Sequence, residues 1–391
     1  MSHAPAPTRL PVAIVYGTRP EAVKVAPLWR ALAAHPRLRP VLVSTGQHRD
    51  LLTELHAWFG MQPDVDLAVM TDGQGLPGLT SRVVLALTEE LDRLRPAAVV
   101  VHGDTTTSMA GALAARYAGV PVVHLEAGLR THDLLSPFPE ELNRRLTGVM
   151  ADLHLAPTPL SRDNLLAEGV AAASIVVTGN TVIDALLETT ARAHPIDDPR
   201  VQATIAGAER LVVATLHRRE SHGAPLRRVA EALEDLTRRS PGLKVVLPLH
   251  PNPQVRASVG EVVDRCPDIT VCAPMAYPQF VSLLAAADLL VTDSGGIQEE
   301  APSLDKPVLV VRESTERPEA VAAGTARLVG TDPDLLVSEA LRLLHDPVAY
   351  RSMAQIPNPF GDGHAGSRSA DAIADLLGVG AGVLDPVDAV A

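Results

Sequence analysis

The segment DLLVTDSGGIQEE, residues 288–300, has the composition of a phosphate-binding turn. An apolar, strand-like run, Leu289–Val291, leads into a helical pattern through three small residues. These are Ser294, Gly295 and Gly296. Glycine lets a backbone approach a phosphate closely, and the free N–H groups of a helix's first turn favour an anion. Glu299 and Glu300 follow one turn later, where a carboxylate can accept hydrogen bonds from ribose hydroxyls. A tight strand–helix connection is the alternative interpretation.

Charged residues follow the next strand-like run, Pro307–Val311. They are Arg312, Glu316 and Arg317. In open parallel sheets, ligands bind at the carboxyl ends of the strands, so these residues belong to the same predicted edge as the glycine turn. The combined pattern indicates a site for a nucleotide sugar.

A second basic turn, Gly17–Glu21, follows the first strand-like run and opens a helix. Arg19 and Lys24 could reach a diphosphate, and Pro20 suits the first helical turn. A capped helix with solvated charges would have the same sequence. The pattern leaves both interpretations open.

Two carboxylates end neighbouring strand-like runs. Asp104 follows AAVVVH, and Glu126 ends VVHLE. Such a pair is expected where one group stays ionised and another has a raised pKa for proton transfer. Asp104 could instead cap a helix, and Glu126 could pair with Arg130.

Further candidates are a glutamate pair and two histidines. Glu140 and Glu141 follow the stiff loop SPFP, where glutamates often serve the helix dipole. His217 and His250 end two strand-like runs, where histidines are more often structural than catalytic. No ligand spacing indicates a metal site.

The composition places the chain among globular α/β proteins. Its 391 residues exceed one ordinary core, which predicts two domains. The formal net charge of −12 disfavours nucleic acid and anionic membranes as partners. Two cysteines without a disulfide or zinc spacing, and no signal-peptide or membrane-spanning pattern, lead us to expect a cytoplasmic protein.

Apolar runs alternate with helical patterns along the whole chain, which predicts parallel sheets with helices on both faces, twice over. The expected strands are Val12–Tyr16, Pro40–Ser44, Ala98–His102, Val122–Leu125, Ile175–Val177, Val212–Thr215, Val245–Leu249, Ile269–Cys272, Leu289–Thr292 and Pro307–Val311. Helices are expected at 21–34, 79–94 and 182–193. The domain boundary is expected near Thr178, and the tail 379–391 is expected to be flexible.

Ten motifs together resemble the bacterial non-hydrolysing UDP-N-acetylglucosamine 2-epimerases. They are GTRPEAVK, TGQHRDLL, HGDTTTS, LEAGLRT, SPFPEELNR, TGNTVIDAL, HRRES, DSGGIQEEAPSLDKPVLVVRESTERPEA, AGTARLVGTD and NPFGDGHA. They occur in that family's order from about Val12 to Leu377. Each motif is modestly specific, and the set is highly specific.

The resemblance implies a glycosyltransferase-B-like fold with an interdomain active-site cleft. It implies an N-terminal Rossmann-like domain, 1–177, joined by a C-terminal helix, 366–378, and a UDP-binding Rossmann-like domain, 178–365. It further implies a homodimer that interconverts UDP-GlcNAc and UDP-ManNAc without metal or nicotinamide. In that reaction UDP is eliminated to give 2-acetamidoglucal and is then added back.

The resemblance also assigns residues. The catalytic set is Asp104, Glu126, Glu140 and His217, with the histidine near the diphosphate. The UDP-binding set is Arg19, Lys24, Phe280, Ser294, Gly295, Gly296, Glu300 and Arg317, with Phe280 on the uracil side and Glu300 on the ribose. A possible activator site, where UDP-GlcNAc itself would bind, is formed by Gln47, His48, Arg218 and His250.

Four positions depart from the family pattern. His132 stands where the family often has Gly and Leu135 where it often has Tyr, whereas Asp50 and Gly73 differ near the activator site. The alternatives are an epimerase of a related UDP-hexosamine, a hydrolysing epimerase, a UDP-sugar-dependent glycosyltransferase of the same fold and a non-catalytic UDP-sugar-binding regulator.

Overall fold

The protein is represented by a computed structural model, which describes residues 9–46, 49–71, 73, 75–192, 194–216, 223–249 and 253–380. Two compact units divide the chain. The first comprises the chain up to Ala185 and the segment from Phe360 onward, and the second runs from Leu186 to Pro359. Most of the expected tail, from residue 381 on, lies outside the described residues.

The first unit is built on a seven-stranded parallel sheet. Its strands are β1 (Leu10–Tyr16), β2 (Leu38–Ser44), β3 (Val65–Asp66), β4 (Ala98–His102), β5 (Val122–Leu125), β6 (Leu153–Ala156) and β7 (Ile175–Val177). They lie in the order β3-β2-β1-β4-β5-β6-β7. The order reverses between β1 and β4, where Val12 pairs with Ala98 and Val15 with Val101.

The second unit repeats this arrangement with six parallel strands. They are β8 (Arg210–Thr215), β9 (Leu243–Pro248), β10 (Ile269–Cys272), β11 (Leu289–Thr292), β12 (Val308–Val310) and β13 (Ala326–Leu328), in the order β10-β9-β8-β11-β12-β13. Here the order reverses between β8 and β11. The two sheets confirm the predicted pair of parallel-sheet α/β domains.

Helices connect the strands. They are α1 (Arg19–Ala34), α2 (Arg49–Phe59), α3 (Leu76–Leu94), α4 (Thr106–Tyr117), α5 (Glu140–Met150), α6 (Pro159–Ala167), α7 (Thr181–Ala191), α8 (Pro199–Ala206), α9 (Ala224–Arg239), α10 (Pro253–Arg265), α11 (Tyr277–Ala286), α12 (Gly295–Glu300), α13 (Pro318–Ala323), α14 (Pro333–His345), α15 (Pro347–Ala354) and α16 (Ala365–Leu376). Short 3₁₀ turns occupy Ala172–Ser174 and Ala301–Leu304. Among the helices of the described ranges, none combines the length and apolar character needed to cross a bilayer.

The expected strands agree with the structure within about two residues, and three strands were not predicted. These are β3, β6 and β13. β3 has two residues and β13 three, and His154 interrupts the apolar pattern of β6. A strand of two residues has no recognisable hydrophobic pattern, and the polar residues Arg327 in β13 and His154 in β6 interrupt runs that would otherwise be apolar.

The core of both units is aliphatic. Ala13, Val15 and Val43 pack with residues of α3 and α4 in the first unit, and Val212, Val245 and the buried face of α9 form the core of the second. Valine, leucine and alanine therefore fill the core of a chain in which only 3 % of the residues are aromatic. These residues suit strands that are covered on both faces.

The last helix, α16, packs against α1 in the first unit. A Cβ atom at Gly366 would lie 2.9 Å from the carbonyl carbon and oxygen of Pro27, so only glycine permits this approach. The carboxylate of Asp184 accepts hydrogen bonds from the N–H groups of Ala365 and Gly366, at 3.1 and 2.8 Å. The start of α16 is thereby fixed to the end of the first unit's main segment.

Candidate functional site

The turn from β1 into α1 is closed by a capping box. Thr18 caps the helix, and the carboxylate of buried Glu21 accepts hydrogen bonds from the N–H groups of Gly17 and Thr18 at 3.0 and 2.7 Å. Part of the GTRPE motif is therefore structural. Arg19, the first residue of α1, is half-buried.

Glu21 also joins the two strands at which the sheet order reverses. Its other carboxylate oxygen accepts hydrogen bonds from the hydroxyls of Thr105 and Ser108, at 2.7 and 3.2 Å. Thr105, rather than Asp104, is the N-cap of α4. The capping alternative for Asp104 is therefore wrong, and the Asp104 side chain is available for another role.

Asp104 is held by residues of α5. Its Oδ2 lies 2.6 Å from the Nη2 atom of Arg144, and its backbone carbonyl accepts a hydrogen bond from the Asn143 side chain at 2.9 Å. The Arg144 side chain is 4 % exposed, whereas that of Asp104 is 26 % exposed. A partly exposed carboxylate is thus fixed from behind by a buried cation.

Glu126 lies at the end of β5 between two basic side chains. The Nζ atom of Lys24 is 2.5 Å from its Oε2, and the Nε2 atom of His102 is 3.4 Å from the same oxygen. The backbone of Glu126 has a φ of 62°, in the left-handed region that non-glycine residues seldom adopt. Such strain is common at functional sites.

Arg130 forms a bidentate pair with Glu168, at 2.9 and 2.7 Å, and the guanidinium lowers the pKa of that glutamate. The pairing of Glu126 with Arg130 that the sequence left open is replaced by this contact. Lys24, expected at a diphosphate, contacts Glu126.

The two glutamates at the start of α5 differ in environment. Glu141 is completely buried, and its carboxylate accepts hydrogen bonds from the N–H groups of Thr131 and His132, at 3.0 and 3.3 Å. Glu140 is only partly buried, and its Oε2 has no hydrogen-bond partner in the described part of the chain. Glu141 therefore braces the loop, and Glu140 is the member of the pair available for chemistry.

Two histidines near these carboxylates were not among the predicted site residues. Apart from the 3.4 Å approach of Nε2 to Glu126, which is not a hydrogen bond, neither ring nitrogen of the nearly buried His102 has a partner among the described residues. His124 is completely buried and donates from Nε2 to the carbonyl oxygen of Gly103 at 2.7 Å. Burial lowers the pKa of His124 to about 3, so the ring is neutral. His102 could have been found from the sequence, because it directly precedes Gly103 and Asp104 in the motif HGDTTTS.

The glycine turn of the second unit follows β11. The Ser294 N–H donates to the hydroxyl of Thr292, and α12 begins at Gly295. A Cβ atom at Gly295 would lie 3.4 Å from the guanidinium carbon of Arg317. At Gly296 the nearest atom would be the Ser294 hydroxyl at 3.9 Å. Among the described residues, apart from its chain neighbours and the backbone of α12, the space beside Gly296 is open.

Arg317 lies against this turn. Its Nε donates to the carboxylate of Glu299, and its Nη1 donates to the carbonyl oxygen of Glu316 at 3.1 Å. Both Arg317 and Glu299 are buried. The buried carboxylate therefore fixes the guanidinium beside Gly295.

Glu300 contacts α11, the helix that carries Phe280. The hydroxyl of Tyr277 donates to Glu300 at 3.2 Å, and Phe280 lies three residues further along the same helix. Residues three apart are neighbours on a helix surface. Phe280 is half-buried and Glu300 is buried. Tyr277 is a further residue that the sequence did not single out.

Five predicted residues lie outside the described residues. They are His217, Gln47, His48, Arg218 and His250. In the ranges that the structure describes, no group of three or more His, Cys, Asp or Glu side chains is placed to hold a metal ion.

Comparisons with known proteins identify the family. Residues 30–374 match the family model described as UDP-N-acetylglucosamine 2-epimerase. The UDP-N-acetylglucosamine 2-epimerase of Escherichia coli K12 is 47 % identical over 367 residues, which are 93 % of this chain and 98 % of that protein. The Bacillus subtilis protein of the same name is 45 % identical over 363 residues, or 92 % and 94 % of the two chains.

A solved structure gives the same result. The UDP-GlcNAc 2-epimerase from Neisseria meningitidis, bound to UDP-GlcNAc, has a TM-score of 0.85 and 40 % sequence identity, and the match covers 94 % of this chain and 100 % of that one. The chain belongs to the UDP-N-acetylglucosamine 2-epimerase family.

Proposed function

We propose that this protein interconverts UDP-GlcNAc and UDP-ManNAc by eliminating UDP and adding it back. Family membership supports the substrate, since a related structure contains UDP-GlcNAc. The observation that carries the reaction type is the group of carboxylates in the first unit. Asp104 and Glu126 end adjacent strands, and Glu140 starts α5, from which Arg144 reaches back to Asp104.

The proposed reaction needs a base and an acid. In the first step the C2–H bond breaks, the proton passes to a base, and the C1–O bond breaks with its electron pair leaving on UDP. The product is 2-acetamidoglucal, which has a double bond between C1 and C2. UDP then adds back to C1, and an acid delivers a proton to the opposite face of C2.

The carboxylates fit these roles. Two of Asp104, Glu126 and Glu140 divide the base and acid functions at C2, and the third stabilises the positive charge that develops on the sugar as UDP departs. The strained backbone of Glu126 and the unpaired oxygen of Glu140 are features expected of groups that act on a ligand. Because acid–base groups and UDP suffice, the proposed steps require neither a metal nor a redox cofactor.

The second unit supplies the nucleotide contacts in this proposal. Ser294, Gly295 and Gly296 cradle the diphosphate with backbone N–H groups, beside the fixed guanidinium of Arg317. Glu300 accepts from the ribose hydroxyls, and Phe280 stacks on uracil. In this proposal Arg19 and Lys24 of the first unit also stabilise the departing diphosphate, together with His217.

The test is proton NMR of the protein with UDP-GlcNAc in deuterium oxide, without added metal or nucleotide. The expected result is UDP-ManNAc that carries deuterium at C2, because the C2 proton exchanges with solvent on the acid and base. Release of free ManNAc and UDP would identify a hydrolysing enzyme. If UDP-GlcNAc remains unchanged, the proposal fails. Related UDP-hexosamines would then be tested as substrates, followed by glycosyltransferase activity with added acceptors.

We further propose a homodimer. Large apolar side chains are exposed on three neighbouring helices of the first unit: Leu85 on α3 is 64 % exposed, Tyr117 on α4 71 % and Val149 on α5 86 %. These side chains would be removed from water if a second copy of the chain packed against the three helices. Light scattering should give twice the chain mass, and a monomer at micromolar concentration would contradict the proposal.

We also propose a cytoplasmic location and activation by UDP-GlcNAc. The free thiols of Cys266 and Cys272 suit a reducing cytoplasm. Activation by UDP-GlcNAc through Gln47, His48, Arg218 and His250 is to be tested by adding UDP-GlcNAc to a reaction started from UDP-ManNAc.

A further inference from the structure

A buried arginine on α5 joins the candidate catalytic carboxylate of Asp104 to the buried carboxylate of Glu141. We propose that Arg144, held by Glu141, is a positioning residue that fixes the Asp104 carboxylate for proton transfer. This inference rests on the proposed epimerase function. The sequence did not single out Arg144, and it offered Glu141 only as one member of a glutamate pair.

Arg144 bridges two carboxylates. Its Nη2 lies 2.6 Å from Oδ2 of Asp104, and its Nη1 lies 3.2 Å from Oε2 of Glu141. The Glu141 side chain is completely buried and the Arg144 side chain is 4 % exposed. A planar guanidinium with fixed N–H directions can hold both partners at once, which a lysine ammonium on a flexible stem does far less well.

Glu141 extends this connection to the loop that leads to Glu140. Its carboxylate accepts from the N–H groups of Thr131 and His132, and His132 has a φ of 65°. This conformation agrees with the resemblance, in which the family often has glycine at the position of His132. The buried pair therefore fixes the loop as well as Asp104.

Stability alone does not explain the orientation of Arg144. A buried ion pair often contributes little net stability, because both charges lose their hydration. The Nε atom of Arg144 is also buried and lacks a hydrogen-bond partner within the described ranges. The guanidinium is thus oriented so that both Nη groups contact carboxylates while the Nε–H group has no acceptor. Burying an unsatisfied donor is unfavourable, so this orientation is not the one that stability alone would favour.

The consequence is a defined direction for the reactive oxygen. With Oδ2 held by Arg144 and the backbone carbonyl held by Asn143, the orientation of Asp104 Oδ1 is set. Arginine does not release its proton in proteins, so Arg144 acts through Asp104 and is not itself the acid or base. Misplacement of a reacting group by about 1 Å can lower a rate about 100-fold.

The test is a double-mutant cycle with Arg144→Met and Asp104→Asn, measured as kcat for epimerisation of UDP-GlcNAc. We expect Arg144→Met alone to lower kcat about 100-fold, with KM and UDP affinity within about twofold of the wild type. In the Asp104→Asn background the same change should lower kcat less than about threefold, because the group it positions is already absent. Arg144→Lys should lose nearly as much as Arg144→Met, since one ammonium fits the two-carboxylate bridge poorly.

If Arg144→Met lowers kcat equally in the wild type and in Asp104→Asn, Arg144 serves only the general fold and the proposal is wrong. An unchanged kcat in Arg144→Met would also overturn the proposal. The matched control is Arg145→Met, which removes the adjacent, exposed arginine and should leave kcat unchanged. If Arg144→Met does not fold, Arg144→Met with Glu141→Gln removes both buried charges together and replaces it in the cycle.

A crystal structure of Arg144→Met with Glu141→Gln gives a measurement that does not depend on turnover. The expected result is a rotated or disordered Asp104 side chain, whereas an unchanged Asp104 would overturn the proposal. If the wild-type protein does not epimerise UDP-GlcNAc, the proposed function fails, but this structure still decides whether Arg144 positions Asp104.

Discussion

Both units pair a buried arginine with a buried glutamate, but the two arginines contact different groups. Each unit has a glutamate pair next to a candidate ligand turn, and in each pair one buried glutamate holds a buried arginine: Glu141 holds Arg144, and Glu299 holds Arg317. In the first unit the arginine is turned toward another carboxylate, Asp104. In the second it lies against the glycine turn at Gly295.

The difference lies in what the cation faces. In the first unit, Arg144 contacts the carboxylates of Asp104 and Glu141. In the second unit, the guanidinium borders a turn without side chains, where an anion can approach the backbone. The two sheets share the same order over six strands, and in the proposed mechanism the first serves acid–base chemistry and the second serves anion binding.

Removing a carboxylate charge in the first unit should give the largest effect. Asp104→Asn or Glu126→Gln is expected to lower kcat about 1,000-fold, within the range that general acid–base groups contribute. UDP affinity should stay within about twofold, because the glycine turn is untouched. Steady-state kinetics and calorimetry with UDP measure the two quantities.

Asp92→Asn, an isosteric change at an exposed position on α3, is the control for the carboxylate variants. Near-normal turnover in both Asp104→Asn and Glu126→Gln would refute the catalytic assignment.

Replacing Arg317 of the second unit should instead weaken UDP binding. Arg317→Ala is expected to weaken UDP binding about 10- to 100-fold, because a charge-assisted hydrogen bond contributes about 1.5–3 kcal/mol. Calorimetry with UDP checks this, and Arg327→Ala, at an exposed arginine of the same unit, should bind UDP normally. Unchanged affinity in Arg317→Ala would remove the proposed phosphate site.

A smaller effect is expected from filling the open space beside Gly296. In Gly296→Val the nearest described atom to the new Cβ, outside the chain neighbours and the backbone of α12, is the Ser294 hydroxyl at 3.9 Å, so the fold should be retained. UDP affinity should fall about tenfold, or ~1.4 kcal/mol, since the side chain occupies the place of a phosphate. Gly260→Val on α10 is the control, and a normal UDP affinity for Gly296→Val would mean that the diphosphate binds elsewhere.

The smallest effect concerns the acid sensitivity of the first unit. The pKa of His124 is about 3 in the folded protein, against about 6.5 in an unfolded chain. Between these values the unfolded chain binds a proton that the folded protein excludes, so the free energy of unfolding falls as the pH falls. The loss approaches about 1.4 kcal/mol per pH unit below pH 6.5.

His124→Gln should reduce this dependence. The variant is expected to be less stable than the wild type at pH 7.5, and the difference should shrink by about 2 kcal/mol at pH 5. Denaturant unfolding at the two pH values measures it, with His364→Gln, at an exposed histidine, as the control. A difference that does not change with pH would show that His124 is not the neutral buried group.

The sequence predicted the fold well because its strands are continuous apolar runs. Ala98–His102 and Leu289–Thr292 were predicted with their observed ends. The candidate residues were also found, since glycine turns and carboxylates at strand ends have clear local patterns.

The contacts between these residues could not be predicted in the same way. Glu140 and Glu141 are adjacent in sequence, and only the packing of α5 decides which one is buried. The pairing of Lys24 with Glu126 joins residues 102 positions apart. Local patterns identify which residue types can do chemistry, whereas side-chain partners depend on the sheet order and on helix packing.

The placement of α16 has a consequence for synthesis of the protein. The chain up to Ala185 contains every strand of the first sheet, but the helix that covers α1 around Pro27 is made last, after the whole second unit. Domains commonly fold as they emerge from the ribosome. A nascent first unit therefore keeps the face of α1 around Pro27 uncovered while about 180 further residues are added. A premature stop codon just before residue 360 would leave the second unit complete and the first one unfinished.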